Sequence, residues 1–254
     1  MLHSETFGQG PDLVFLHGLF GAGDNWRSIG RKLSDQFRIH LLDLPNHGKS
    51  DWIDDPSLER LSDIVSLWIQ TQGISHYYLL GHSMGGKVAM QMALNKSSNE
   101  IEKLIIVDIA PKHYPPHHQD VFAAVKQVAE ANVTDRKSAE RIMIPFVSDD
   151  GVRQFLLKSL FKNGEYLAWR FNAEILQEKY DAVASAPQAL KPFSKPTLFI
   201  KGMNSQYITG DDQTSIMKLF PAARAKLIEG AGHRPHAEKP VVFSKILNDF
   251  LTEQ

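Results

Sequence analysis

Residues 77–93 constrain the fold more than any other stretch. Tyr77-Tyr78-Leu79-Leu80 is an apolar run of the kind that forms a strand covered on both faces, and Val88, Ala89, Met92 and Ala93 recur at helical spacing immediately afterwards. Between them lies Gly81-His82-Ser83-Met84-Gly85-Gly86. A strand that turns into a helix this abruptly forces its central residue into strained backbone angles, and the residues two positions either side must be small so that strand and helix can approach. Such a turn lifts the Ser83 hydroxyl out of a sheet at a helix N-terminus, where backbone N–H groups receive negative charge. The same spacing also describes a glycine-rich turn with an ordinary solvated serine, so the decision rests on what the remainder of the chain supplies.

A chain of 254 residues with 43% hydrophobic content buries a full core as one α/β domain. The formal net charge of -1 gives no electrostatic case for nucleic acid or an anionic membrane as partner. Cysteine is absent, which excludes disulfides, thiolate metal sites and a cysteine nucleophile. Met1-Leu2-His3-Ser4-Glu5 lacks the basic start and apolar run of a signal peptide, and no stretch is apolar for long enough to span a bilayer. The expectation is a soluble, cytoplasmic protein.

Leu2 to Phe7 and Leu13 to Leu16, joined by Gly8-Gln9-Gly10-Pro11, read as a hairpin ending in a central strand. The second strand runs into His17-Gly18-Leu19-Phe20-Gly21-Ala22-Gly23, whose G-x-x-G-x-G spacing is not the dinucleotide fingerprint. A glycine-rich loop at a strand end suits the second N–H donor of an oxyanion hole, or is simply a turn. Gly48-Lys49-Ser50 follows the strand Arg38 to Leu44, but a phosphate-binding loop needs glycine where Asp43 stands. His47 reads as a loop brace. Leu58 to Gln72 is an amphipathic helix stopped by Gly73, and Ile101 to Ile109 is a further strand. Strands alternating with helices indicate a parallel sheet with helices on both faces, which binds ligands at the strands' carboxyl ends.

From Pro111 to about Pro187 the pattern is helical throughout, with expected helices at 121–131, 137–144, 152–160, 165–171 and 173–184. This stretch reads as a helical cap, residues 111–187, inserted into a core made of 1–110 and 188–254. His113, His117 and His118 stand at its entrance, but intervening prolines deny them helical register, and no metal or cofactor is expected. The α/β rhythm returns with strands 197–200 and 225–229, a helix near 211–220 and a last helix 240–251.

A serine nucleophile needs a base, and the base needs an orienting group. His233, in a glycine-flanked loop after the last strand, is placed for the base; His82 lines the pocket and His236 braces the loop. Asp108, at the end of the strand that follows the Ser83 turn and its helix, is either a strand-end cap or the acid that orients His233. Asp211 and Asp212 are rivals that look like helix caps.

Over nearly its whole length the chain resembles the α/β-hydrolase superfamily: His17-Gly18, the segment Asp43 to Ser50, the elbow around Ser83, and Gly230-Ala231-Gly232-His233. Ile106-Val107-Asp108-Ile109-Ala110-Pro111 and Lys201-Gly202-Met203-Asn204-Ser205-Gln206-Tyr207-Ile208 are similar to the small bacterial YbfF-type esterases, related to mitochondrial abhydrolase-domain proteins. Much of the superfamily carries its acid where this chain has Ser205, and that departure strengthens Asp108. Arg234-Pro235 departs from a bulky aromatic and an aliphatic residue. The resemblance implies a serine carboxylesterase acting on short- to medium-chain acyl esters, with Ser83, His233 and Asp108 as triad and Leu19 and Met84 as oxyanion donors. Substrate-lining candidates are Phe20, His82, Trp169 and Ser205, although cap aromatics such as Trp169 are equally suited to be the cap's own core. The alternatives are an acyl-CoA thioesterase or another serine hydrolase of the same fold, or a non-catalytic ligand-binding receptor.

Overall fold

The computed structural model describes residues 1–95 and 99–253. Seven strands form one sheet in the order β1 (Ser4–Gly8), β3 (Arg38–Leu42), β2 (Asp12–Leu16), β4 (Tyr77–His82), β5 (Ile101–Val107), β8 (Thr197–Gly202) and β9 (Ala223–Ile228). All neighbours run parallel except the β1–β3 pair. The expected α/β-hydrolase architecture, a mostly parallel sheet with helices on both faces, is what the chain adopts.

Alternation along the central strands divides the interior in two. Val14, Leu16, Leu79, Leu104, Ile106 and Phe199 face one core, with α2 (Leu58–Thr71) and α3 (Met84–Ala93). Leu13, Phe15, Leu80, Ile105, Val107 and Ile200 face the other, with α1 (Arg27–Leu33) and α11 (Pro240–Thr252). Side chains two apart share a face and both faces are covered, so these strands read as unbroken apolar runs. Ser57 caps α2 by accepting from the Arg60 amide at 3.3 Å, and Gly73, at φ +70, ends the segment.

The expected hairpin of the first two strands does not form. β1 pairs with β3 across the register Ser4–Leu42 to Gly8–Arg38, and β2 inserts between β3 and β4. Burial decides this: Leu13 to Leu16 are inaccessible to solvent, whereas β1 is half exposed and suits an edge. Gly8 and Gly10, at φ +86 and +103, let the chain leave one strand for the other.

Between β5 and β8 lie α4 (Gln119–Glu130), α5 (Arg136–Met143), α6 (Asp150–Lys158), α7 (Ala173–Glu178) and α8 (Tyr180–Ala184). The expected helix over 165–171 is instead part of an antiparallel pair, β6 (Leu160–Asn163) with β7 (Tyr166–Trp169). Asn163-Gly164 is a hairpin-turn signal that the helical reading passed over, and Gly164 takes φ +63 there. The helix expected over 173–184 breaks at Lys179 into α7 and α8. The other helices are α9 (Gln213–Leu219), the single turn α10 (Pro235–Glu238) and, among the described residues, 3-10 turns at Gly23–Trp26 and Gly210–Asp212.

The inserted segment has no separate interior: Phe122, Val125, Met143, Leu156, Trp169 and Phe171 join the α2–α3 core. Both its ends are fastened to one side chain. Lys87 of α3, buried, donates to Lys112 O at 2.8 Å near the entry, and to Ser185 O at 2.6 Å and Ala184 O at the exit. Among the described residues no helix is long and apolar enough to cross a membrane.

Candidate active site

The site grows from the turn between β4 and α3. Ser83 sits at φ +51, ψ −118, a conformation that β-carbon-bearing residues rarely take. The turn is possible only because its flanks are glycine: a β-carbon on Gly81 would stand 2.2 Å from Gly85 O, and one on Gly85 2.4 Å from His17 O. Ser83 occupies the N-cap position of α3, yet its side chain caps no amide. Its Oγ lies 3.0 Å from His233 Nε2 instead.

His233 follows β9, across β8 and β5 from the elbow strand. Its Nδ1 lies 2.8 Å from Asp108 Oδ2. Two contacts hold the residue: the Tyr207 ring stacks on its imidazole at 3.6 Å between centroids, and His82 Nε2 lies 2.7 Å from its backbone carbonyl, to which it donates. Burial, then the neighbouring His233 and His236, hold His82 well below the ordinary histidine range, so its ring is neutral and its Nε2–H is committed to that carbonyl.

Asp108 is the first residue beyond β5 and also has positive φ, +52. Fully buried, it is surrounded by donors. Oδ1 accepts from the Gly202 amide at 3.1 Å, and Oδ2 accepts from Ser205 Oγ as well as facing His233. A buried carboxylate with this set of donors is compensated where it stands. Asp212, one of the sequence rivals, binds Lys112 Nζ at 2.8 Å and the Thr209 amide at 2.8 Å, away from His233.

Opposite Ser83 lies the glycine-rich loop after β2. Phe20 takes φ +63; its amide donates to His47 Nε2 at 3.2 Å and its carbonyl accepts from Ser159 Oγ at 2.8 Å. Burial, and then the neighbouring His17 ring, lower His47 to about 3; neutral, it donates from Nδ1 to Pro45 O at 2.9 Å and accepts at Nε2. His17, also lowered by burial, bridges Gly18 O at 2.8 Å and the Leu44 amide at 2.9 Å. Two buried neutral imidazoles thus shape the loop that carries Leu19. Among the described residues, neither the Leu19 nor the Met84 amide donates to another protein group. The bracing expected of His47 is what these contacts do; that of His236 takes the form of stacking on Trp26 at 4.2 Å.

Two cavities open at Ser83. One, of about 30 Å³, is walled by Leu19, Met84, Ile109, Tyr114, Val183 and Tyr207. The other, of about 100 Å³, reaches past His82 and His233 to Phe20, Val121, Phe155 and Arg234. Larger surface cavities of about 300 and 350 Å³ lie away from these groups, so chemistry rather than size marks the site.

Two substrate-lining expectations are corrected. Trp169 borders neither cavity: its Nε1 donates to Val125 O at 3.0 Å and its ring stacks on Phe171 at 5.2 Å, because the β6–β7 hairpin turns it into the interior. Ser205 is buried behind Asp108 rather than facing a cavity. Of the entrance histidines, His117 Nε2 meets Tyr207 OH at 2.6 Å, His118 Nδ1 meets Tyr180 OH at 2.6 Å, and His113 faces Asp181 at 3.7 Å. Tyr207, His118 and Tyr180 border the site; His118 and Tyr207 stood in stretches noted for other reasons, and none of the three was marked as site-lining, since what brings them there is the packing of the 111–187 segment and the β8 loop against the sheet.

Residues 11–240 match the family described as the alpha/beta hydrolase fold. Esterase YbfF of Escherichia coli (strain K12) is 37% identical over 245 residues, which cover 95% of this chain and 93% of that protein. The sn-1-specific diacylglycerol lipase ABHD11 of Mus musculus is 35% identical over 249 residues, covering 95% of this chain and 81% of that protein. Among solved structures, a marine microorganism esterase superposes with a TM-score of 0.94 at 34% identity, covering 98% of each chain.

Proposed function

The chain belongs to the α/β-hydrolase fold family and is a carboxylic ester hydrolase; from that premise we propose that it works through a covalent acyl-enzyme on Ser83. Ser83 Oγ attacks the ester carbonyl while His233 Nε2 takes its proton. Asp108 fixes the imidazole with its Nδ1–H inward and stabilises the imidazolium that forms. The amides of Leu19 and Met84 receive the oxyanion, each contributing about 3 kcal/mol of transition-state stabilisation. Collapse expels the alcohol, protonated by His233, and a water activated by the same base releases the acid. The observation that carries this reading is one continuous relay, Ser83 Oγ to His233 Nε2 at 3.0 Å and His233 Nδ1 to Asp108 Oδ2 at 2.8 Å.

The acyl group is apolar and short, as a cavity of about 30 Å³ requires. It occupies the cavity walled by Leu19, Met84, Ile109 and Val183, with residues 111–187 acting as the cap that selects it. Hydrolysis of a p-nitrophenyl acyl-ester series by the parent and by Ser83→Ala tests the proposal. Turnover should vanish in the variant, and the parent should favour the shorter chains. Turnover that survives the substitution would overturn the role of Ser83.

A further inference from the structure

The cavity of about 100 Å³ beside Ser83 has apolar walls, Phe20, Val121, Val152, Phe155 and Leu156, and one cation, Arg234. The guanidinium lies 5.4 Å from the Phe155 ring centroid. Among the described residues its one side-chain hydrogen bond runs from Nη1 to Gly151 O at 2.6 Å, and it enters no ion pair. Nearby carboxylates are committed elsewhere. Asp149 Oδ1 caps α6 through the Val152 amide at 2.9 Å, and Asp150 Oδ1 lies 3.0 Å from Arg153 Nη2. Glu238 accepts from the backbone amides of Gly232 at 2.6 Å and Arg234 at 3.0 Å. A guanidinium offers five donors, and four of these remain for something else.

The direction of the chemistry says which part of a substrate meets this cation. His233 must hand its proton to the departing alkoxide, so the leaving alcohol lies on the side of His233. Of the two cavities at Ser83, the one with Arg234 is lined by His233. We propose that Arg234 is a specificity-determining residue that binds a carboxylate on the alcohol portion, making O-acyl hydroxycarboxylates the favoured substrate class. This inference rests on the Ser83 acyl-enzyme reading for its orientation. The ester bond between acyl carbon and alkoxide breaks, water supplies the hydroxyl, and the products are the carboxylic acid and the free hydroxycarboxylate. The planar fork of the guanidinium matches a carboxylate with two parallel hydrogen bonds.

The test compares 3-acetoxypropanoate with its neutral planar counterpart 3-acetoxypropanamide, followed by pH-stat, for the parent, R234M and R234K. The parent should favour the anion by about tenfold or more in kcat/KM, as one charge-assisted pair implies. That ratio should collapse in R234M and fall between the two in R234K, which keeps the charge and loses the fork. A parent ratio near one overturns the proposal. So does a ratio unchanged in R234M, including the case where both substrates slow equally because Arg234 merely ties α6 through Gly151. A second arm needs no turnover: calorimetric titration of 3-acetoxypropanoate into S83A and into the S83A/R234M double variant. Binding should weaken about tenfold in the double variant, and equal binding overturns the carboxylate site. Turnover persisting in S83A would instead strike the acyl-enzyme reading, leaving the binding arm to judge Arg234.

Discussion

Asp108 receives donors from three directions, the Gly202 amide, the Ser205 hydroxyl and the His233 ring, and the two oxygens have separate duties. Replacing it with Asn puts an NH2 where an acceptor is needed and invites the wrong imidazole tautomer, so Asp108→Asn should lower kcat by about 10⁴-fold. Turnover within tenfold of the parent would remove Asp108 from the mechanism. Ser205→Ala removes one hydrogen bond to a buried carboxylate, worth about 1.5–3 kcal/mol, and should lower kcat about tenfold or more with KM little changed. Ser83 was readable from its flanking glycines, because the steric demand of the turn is local. Asp108 was harder, since an aspartate at a strand end looks alike whether it caps or orients, and the nearness of Gly202 and His233, which come from distant parts of the chain, is what supports the orienting reading.

At the scale of elements, Trp169 distinguishes a pocket wall from a packing residue. Trp169→Phe should cost about 1 kcal/mol through the lost bond to Val125 O, lowering Tm by about 2–4 °C. The acyl-chain profile should not move; a shifted profile would return Trp169 to the substrate pocket. Helices with an apolar stripe, such as α2, and strands with covered faces, such as β4 and β5, were legible because periodicity reports the face that is buried. The β6–β7 hairpin was not, because short apolar segments such as 160–163 and 166–169 satisfy helix and strand patterns alike. The β1–β2 pairing failed for a different reason: nearness in sequence favours a hairpin, but β2 takes a central place between β3 and β4, where helices cover both its faces, and the half-exposed edge is left to β1.

For the molecule as a whole, acid is the condition to test. His47 and His236 are lowered to about 3 by burial, and His17 and His82 are lowered by burial as well. All four are neutral in the fold and titrate near 6.5 once unfolded. Their contribution is therefore fully present above 6.5 and lost as pH falls from there toward about 3, where the unfolded chain binds protons that the fold refuses. Chemical denaturation at pH 5 should show uptake of at least two protons on unfolding, a slope of at least about 2.7 kcal/mol per pH unit. Uptake of fewer than one proton would mean that these rings are charged in the fold. The sequence by itself determined the α/β class, the elbow serine and the histidine after the last strand, because each is set by local sterics or by the period of burial. Tertiary structure alone decided the order of the strands, the donors around Asp108, the Tyr207 and His82 clamps on His233, and the cation facing the second cavity. Those depend on which distant segments meet at one edge of the sheet, and no local pattern encodes that meeting.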